Sequence, residues 1–389
     1  MADRWPEAAC TFATVGSLEQ LESLGGEWDS LVRAMPRPSP FLLHAWLAEW
    51  WRQFGAGARL ALAVARREGQ LVGAAPLFVR RSHGVRIARF LGAHESALAD
   101  LLLEPGEPPA TAKGLIEELR SQPLDVVDLF GLPASSRLAD AEVPGLALVE
   151  RVEAPVLHMA EGWEAAYAAK TRAKKRNLHR RRLRQLAEVG PVEFAVGRTR
   201  EELEPLLEES FRLHELRWRG RPDGSTFGTE PGRRFHRAAL RRLADDDVLR
   251  IVLMRVGGRA AAFHYFFALD RTMIVHRLAF DPALARYSPG VVSTLETLRL
   301  ASDEGLTRVE FLGGDERYKL ELADSLEPLH EAIGLARGPV GALVGRVRLD
   351  AIRLRKTLKR SERLHRLYLG GIGSLGLRRR RADRAEPED

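Results

Sequence analysis

Residues 286–290, Arg-Tyr-Ser-Pro-Gly, open a helix that the sequence places from about Val291 to Glu304. The first turn of a helix offers unpaired backbone N–H groups and the positive end of the helix dipole. Ser288, Pro289 and Gly290 therefore favour a phosphate, and a ligand carrying a pyrophosphate fits there. Ser288 can also cap the helix, and the two uses compete for one hydroxyl. After the strand RVEFLGG comes an acidic turn, Gly313-Gly314-Asp315-Glu316, followed by Tyr318 and Lys319. Open α/β sheets place their sites beyond strand ends. Asp315 is the expected general base or a carboxylate that positions an amine, Tyr318 the proton donor or a hydroxyl contact, and Lys319 a phosphate partner, with Glu310 inside the strand as the second candidate base.

His214, Arg217 and Trp218 fall three and four residues apart, on one side of a predicted helix. His264 and His276 lie among apolar strand residues, a setting that favours hydrogen-bonded core histidines over catalysts. No His, Cys and carboxylate group has metal-ligand spacing, so no metal is expected. Gly-x-Ser-x-Gly elbows and Walker loops are absent, which removes the commonest hydrolase and nucleotidase readings.

The elements that must position these residues read in order from 251 to 319. They are the strand IVLMRV, a Gly257-Gly258 turn, the strands AAFHYFFAL and TMIVHRLAF, the Pro-Gly loop with its helix, and the strand RVEFLGG. The first half carries a weaker version of the same unit. A helix from about Leu42 to Phe54 follows Pro36, Pro38 and Pro40; LALAVARR and QLVGAAPLFVRR flank Glu68-Gly69; a helix at Thr111 to Ser121 precedes the strand LDVVDLFGL. LDVVDLFGLP and TRVEFLGGD each follow a helix and end in a glycine-containing turn, which points to a degenerate repeat of one α/β unit. Between the halves, a single helix is expected from Trp163 to Val189 and another from Glu201 to Trp218, leading into a Gly/Pro/Arg-rich surface loop. The expected division is an N-terminal lobe at 1–152, a C-terminal lobe at 153–338 and an appendage at 339–389.

Charge is concentrated rather than spread. The net charge is +7, but residues 340–389 alone sum to +8, and Lys170 to Arg184 holds nine Lys/Arg and no acid. The basic helix at 170–184 has no interleaved aromatics, so nucleic acid is the less favoured partner, and a face beside an anionic ligand the more favoured. In the appendage Leu343, Val347, Ala351, Leu354 and Leu358 recur at spacings of three and four opposite a basic face. Residues 340–369 can then pack on the body or lie on an anionic membrane. The 389-residue length suits two lobes, and no apolar run approaches membrane-spanning length. With the lone Cys10 and no leader pattern, the expected location is the cytoplasm, with peripheral contact at the inner face of the membrane.

These pieces resemble the Gcn5-related N-acetyltransferase (GNAT) superfamily, in its double-domain CelD-like branch related to the FemAB aminoacyltransferases. The resemblance rests on HELRW at 214–218, Gly258 to Phe267, DPALARYSPG at 281–290, Gly305 and FLGGDERYK at 311–319. FLLHAWLAEWW, Gly73 to Leu77 and Phe90-Leu91-Gly92 carry it in the first half. It implies an α/β fold with mixed sheets, built from tandem GNAT-like units. It also implies transfer of an acyl group, from acetyl-CoA or another acyl-CoA, to an amine of a small-molecule, sugar or envelope-precursor acceptor. On that pattern Arg286, Ser288, Pro289, Gly290, Val291 and Lys319 hold the carrier's phosphates. Leu278 and Ala279 face the thioester with a backbone N–H, and His214, Arg217, Trp218 and His264 meet the acceptor. The superfamily's phosphate loop carries a second glycine, which is missing after Arg286. FemAB-type relatives use aminoacyl-tRNA, which leaves that donor as an alternative. A third reading is an inactive transferase fold that binds membrane or nucleic acid.

Overall fold

The computed structural model describes residues 9–219, 225–313 and 316–360. Eleven strands form one mixed sheet and four form a smaller one. In the large sheet the C-terminal lobe contributes Val192–Gly197, Leu249–Val256, Arg259–Leu269, Thr272–Phe280 and Arg308–Glu310 side by side. The N-terminal lobe contributes Val126–Pro133, Val85–Phe90, Leu77–Ser82 and Ala58–Leu60 at the other end. Two parallel pairings occur among the described strands: Val85–Phe90 with Val126–Pro133, and Thr272–Phe280 with Arg308–Glu310. Each is bridged by a helix, Pro109–Leu119 in one lobe and Pro289–Asp303 in the other, so the repeat seen in the sequence has a counterpart in topology.

The two lobes trade strands at their junction. Leu146–His158 runs out of the N-terminal lobe and pairs with Arg308–Glu310 through Val156, Leu157 and His158. Ser325–Gly334 runs out of the C-terminal lobe and pairs with Val126–Pro133. The two exchanged strands also pair with each other, from Ser325↔Val156 to Gly334↔Leu146. A boundary drawn at 152/153 therefore falls inside one 13-residue strand.

Two elements depart from the sequence reading. The hairpin strand QLVGAAPLFVRR is split at Pro76, which cannot donate to a ladder. Gln70–Ala75 stays in the small sheet with Thr11–Val15 and Leu62–Arg67, while Leu77–Ser82 joins the large one. The helix expected over 163–189 is two, Trp163–Lys170 and Ala173–Val189, separated by extended Thr171. Local bonds hold the break: the Thr171 hydroxyl donates to Tyr167 O, and the Arg176 guanidinium donates to Thr171 O. Lys170 is drawn to Asp324 and to Ala323 O. The break turns the basic helix onto the helix Pro289–Asp303.

That second helix is fixed from beneath by His264, expected at the acceptor but fully buried behind the helix. Thr294 donates its hydroxyl proton to Gly290 O at 2.8 Å, so it accepts from His264 Nε2 at 3.0 Å. Nδ1 then accepts from the Ser293 hydroxyl at 3.1 Å. Burial pushes this ring down to about 3, and it is neutral at neutral pH. Unfolded chains take up this proton near 6.5, so stability is retained above that pH and falls between about 6.5 and 3. The slope is about 1.4 kcal/mol per pH unit for each such histidine. In urea titrations, His264→Gln is expected to be less stable at pH 8 yet to lose less stability between pH 6.5 and 4. An unchanged slope would show that His264 does not titrate on unfolding.

Candidate functional site

The strand Thr272–Phe280 keeps its parallel partner for only three registers, Thr272↔Arg308 to Ile274↔Glu310. Phe311 then turns away and donates its N–H to Pro155 O at 3.0 Å. From Val275 to Phe280 the edge facing that neighbour has no strand on it, and Leu278 and Ala279 lie there. The opposite edge stays paired and carries a bulge: Arg277 faces Tyr265, Val275 faces Phe266, and His276 is the extra residue.

Past Phe280 the chain makes a short 3-10 turn, Pro282–Tyr287, capped by Asp281 accepting from Ala283 N–H. Ser288 follows in the left-handed region at φ 55°, and the helix starts at Pro289. The Ser288 side chain makes no capping bond. Gly290 is there for closeness: a Cβ on it would stand 3.0 Å from the Phe280 ring. Arg217 lays its guanidinium over the same ring at 4.8 Å and over Trp218 at 5.6 Å, which brings the end of Arg200–Trp218 to the loop.

Beside this loop opens a cleft of 1390 Å³, walled by the basic helix Ala173–Val189, the first turns of Pro289–Asp303 and the helix Arg317–Leu322. Eight Lys/Arg line it against one acid, Glu321, itself paired with Lys175 and Arg317. Val291 and Tyr318 face this cleft, and burial raises the Tyr318 phenol, which stays protonated.

Other expected residues lie elsewhere. Lys319 is buried, donates to Gly313 O at 3.2 Å and pairs with Glu316 at 2.9 Å. Arg286 folds over its neighbour Tyr287 at 4.5 Å. Glu310 is 1% exposed, clasped by Arg37 at 2.9 and 2.6 Å and by Arg308 at 3.2 Å, so it serves as an anchor between lobes rather than a free base. His214 is buried edge-on to Phe227 at 5.1 Å. Asp315 lies outside the described residues.

One group escaped the sequence reading. The bulge turns the side chains of both His276 and Arg277 towards Glu95, a residue of the N-terminal lobe. Glu95 Oε2 accepts from Arg277 at 2.8 Å and stands 3.3 Å from His236 Nε2 and 3.9 Å from His276 Nε2. Trp46, Phe235 and Phe267 enclose the group, and the Tyr265 hydroxyl is buried with it. Glu95 Oε1, both His236 nitrogens, His276 Nε2 and the Tyr265 hydroxyl are buried without a well-formed hydrogen bond. Burial alone would raise the Glu95 carboxyl, but the nearness of His236 and the bond and charge of Arg277 outweigh this and hold it low. Burial pushes both histidines down and leaves them neutral, His276 furthest, with Arg277 adding to the effect.

Three ligand atoms within 4.8 Å of one another are enough to hold a metal. Arg277 argues against it, because its guanidinium already neutralises the carboxylate oxygen that faces both rings. His236 Nδ1 also lacks the outer partner that metal-bound histidines keep. His276 was visible in the sequence, and His236 sits in RRFHRA on a helix with a clear apolar face. Nothing in GAHESALAD marks Glu95.

Residues 173–320 match the family model described as acetyltransferase (GNAT) domain. No curated protein matches the sequence. Among solved structures, FemX shares the fold with a TM-score of 0.56 at 11% identity, covering 82% of this chain and 98% of that one. A conserved protein of unknown function from Bacteroides thetaiotaomicron gives 0.53 at 13%, covering 84% and 100%. The C-terminal domain of a putative lysylphosphatidylglycerol synthetase from Agrobacterium fabrum gives 0.50 at 14%, covering 85% and 96%. With a GNAT acetyltransferase domain at 173–320 and a mixed α/β fold shared with FemX, the chain is an acyltransferase.

Proposed function

We propose that the chain transfers an acyl group from an acyl-CoA to the amine of an envelope-related or small-molecule acceptor, by direct attack in a ternary complex. One observation carries this reading: the strandless edge of Thr272–Phe280 runs through one loop into the helix Pro289–Asp303, whose first turns wall the cationic cleft. Phosphates of the carrier sit against the basic helix and the start of Pro289–Asp303, where charge and helix dipole act together. The pantetheine arm lies along residues 275–280, and a backbone N–H near Leu278 or Ala279 meets the thioester carbonyl. The amine nitrogen forms the C–N bond, the C–S bond breaks, and the sulfur leaves as a thiolate. Tyr318, protonated in the cleft, supplies the proton for that thiolate. The amine's proton goes to neutral His236, oriented by Glu95; the pair packs against His276 of the bulge, two residues before Leu278. Asp315 keeps a role in positioning the acceptor. The similarity to FemX and to a lysylphosphatidylglycerol synthetase domain supports an envelope precursor as acceptor. The eight cations of the cleft exceed what one pyrophosphate needs, which favours aminoacyl-tRNA as the second donor reading.

Calorimetry separates these donors. Acetyl-CoA is expected to bind, and Arg181→Glu with Arg182→Glu to weaken it by roughly tenfold or more. Gly290→Asp is expected to weaken it well beyond Gly290→Ala, because both meet Phe280 but only Asp adds charge. No binding near millimolar concentrations, with salt-sensitive tRNA binding instead, would overturn the CoA reading. For the proton acceptor, His236→Gln is expected to lower kcat about a hundredfold with the donor KM unchanged. Neutral His236 is the active form, so activity falls as pH drops through its depressed value. Glu95→Gln removes the stabilising charge and is expected to move that limb to still lower pH. A limb that stays in place removes the pair from the mechanism.

A further inference from the structure

The helix Gly338–Arg360 sits on the body with the opposite face from the one its apolar spacing suggests. Its seated face is glycine and isoleucine. A Cβ on Gly341 would stand 2.2 Å from Asp125 O, Gly345 lies over Val126 and Ile333, and Ile352 is 4% exposed. Arg348 reaches Glu331 at 2.8 Å and Lys356 reaches Glu150 at 2.6 Å, which fixes the rotation of the helix about its axis. The stripe Val340, Leu343, Val347 and Leu354 therefore points outward, at 59%, 63%, 58% and 60% exposure. Along the helix it spans about 21 Å. Arg346 and Arg353 flank it on one side and Arg355 on the other, all exposed.

We propose that this face docks the enzyme on an anionic lipid bilayer, lying in the plane of the interface. An apolar ridge with arginines on both flanks matches acyl chains below and phosphate headgroups beside it. The charge of +8 over residues 340–389 adds the complementary attraction. Crossing the bilayer is not open to it, since no helix among the described residues is long and apolar enough. A nucleic acid would engage the arginines and leave the ridge wet. A coiled coil with a second copy would run through Val340, Leu343, Val347, Asp350, Leu354 and Thr357. Asp350 and Thr357 would then occupy its core positions. This inference does not depend on the donor or on the chemistry proposed above.

Vesicle cosedimentation of the full chain tests it. Binding is expected to vesicles of 3:7 phosphatidylglycerol to phosphatidylcholine, falling with salt, and not to pure phosphatidylcholine. The variant Leu343→Gln/Val347→Gln/Leu354→Gln is expected to lower partitioning at least tenfold with an unchanged Tm, because all three side chains are already in water. Arg346→Gln/Arg353→Gln/Arg355→Gln is expected to lower it about a hundredfold. Three outcomes would overturn the proposal: no binding to anionic vesicles, equal binding by the apolar variant, or a concentration-dependent dimer that this variant abolishes.

Discussion

Everything in the molecule depends on the exchanged pair of strands, Leu146–His158 and Ser325–Gly334. Each completes the other lobe's sheet, so neither lobe closes its hydrogen-bond ladder alone. The exchange sets the lobes edge to edge in one sheet and fixes the distance between them. Only with that distance fixed can side chains of the first lobe serve the second. Arg37 reaches Glu310, and Glu95 reaches Arg277, His236 and His276. The exchange also shapes the donor edge. Leu146–His158 occupies the far side of Arg308–Glu310 and takes the Phe311 N–H on Pro155 O, which leads the chain away from Thr272–Phe280.

Buried carboxylates trace the same seam. Glu95, Glu310 and Glu331 are almost fully buried, and each meets at least one arginine from a distant part of the chain. Burial lifts Glu331 to about 7, with Asp128 adding to it against the pull of Arg348 and Arg151. Removing one partner of such a pair leaves a charge in low dielectric, so these contacts specify register more than they add stability. The basic helix is the opposite case. Most of its cations lie in water along the cleft, where they cost little in the free protein and remain available to an anion.

Local elements were legible in the sequence because local physics decides them. Apolar runs and Gly257-Gly258 marked the strands from 249 to 280, and proline placed the starts of His44–Phe54 and Pro289–Asp303. The Pro-Gly loop and the charge run at 170–184 were likewise visible, and the structure sets the charge run across a cleft from the helix that the loop opens. What stayed hidden is set by contacts across hundreds of residues. No periodicity in Leu146–His158 shows that its end belongs to the other lobe. Glu310 read as a second candidate base and Lys319 as a phosphate partner, yet Arg37 holds the one and Gly313 O the other. In the last helix the spacing of Leu343, Val347 and Leu354 was plain, but the tight seat of Gly341 against Asp125 O decided which face is buried.

The loop at 286–290 shows how a missing glycine can be replaced. A phosphate loop at a helix start needs a reversal that presents the first N–H groups, and room for the ligand to approach the backbone. Here the two needs fall on different residues. Ser288 makes the reversal in the left-handed region, a strained conformation for a residue with a Cβ. Gly290 supplies the close approach, against Phe280 on one side, while its carbonyl is held by Thr294 on the other. Thr294 is in turn fixed by His264, so a core histidine braces the backbone of the helix start from the buried side. The helix start just after Ser288 is held by this chain of bonds, from Gly290 O through Thr294 to His264. On the proposed function, this division of labour lets the loop serve an anion without a second glycine after Arg286.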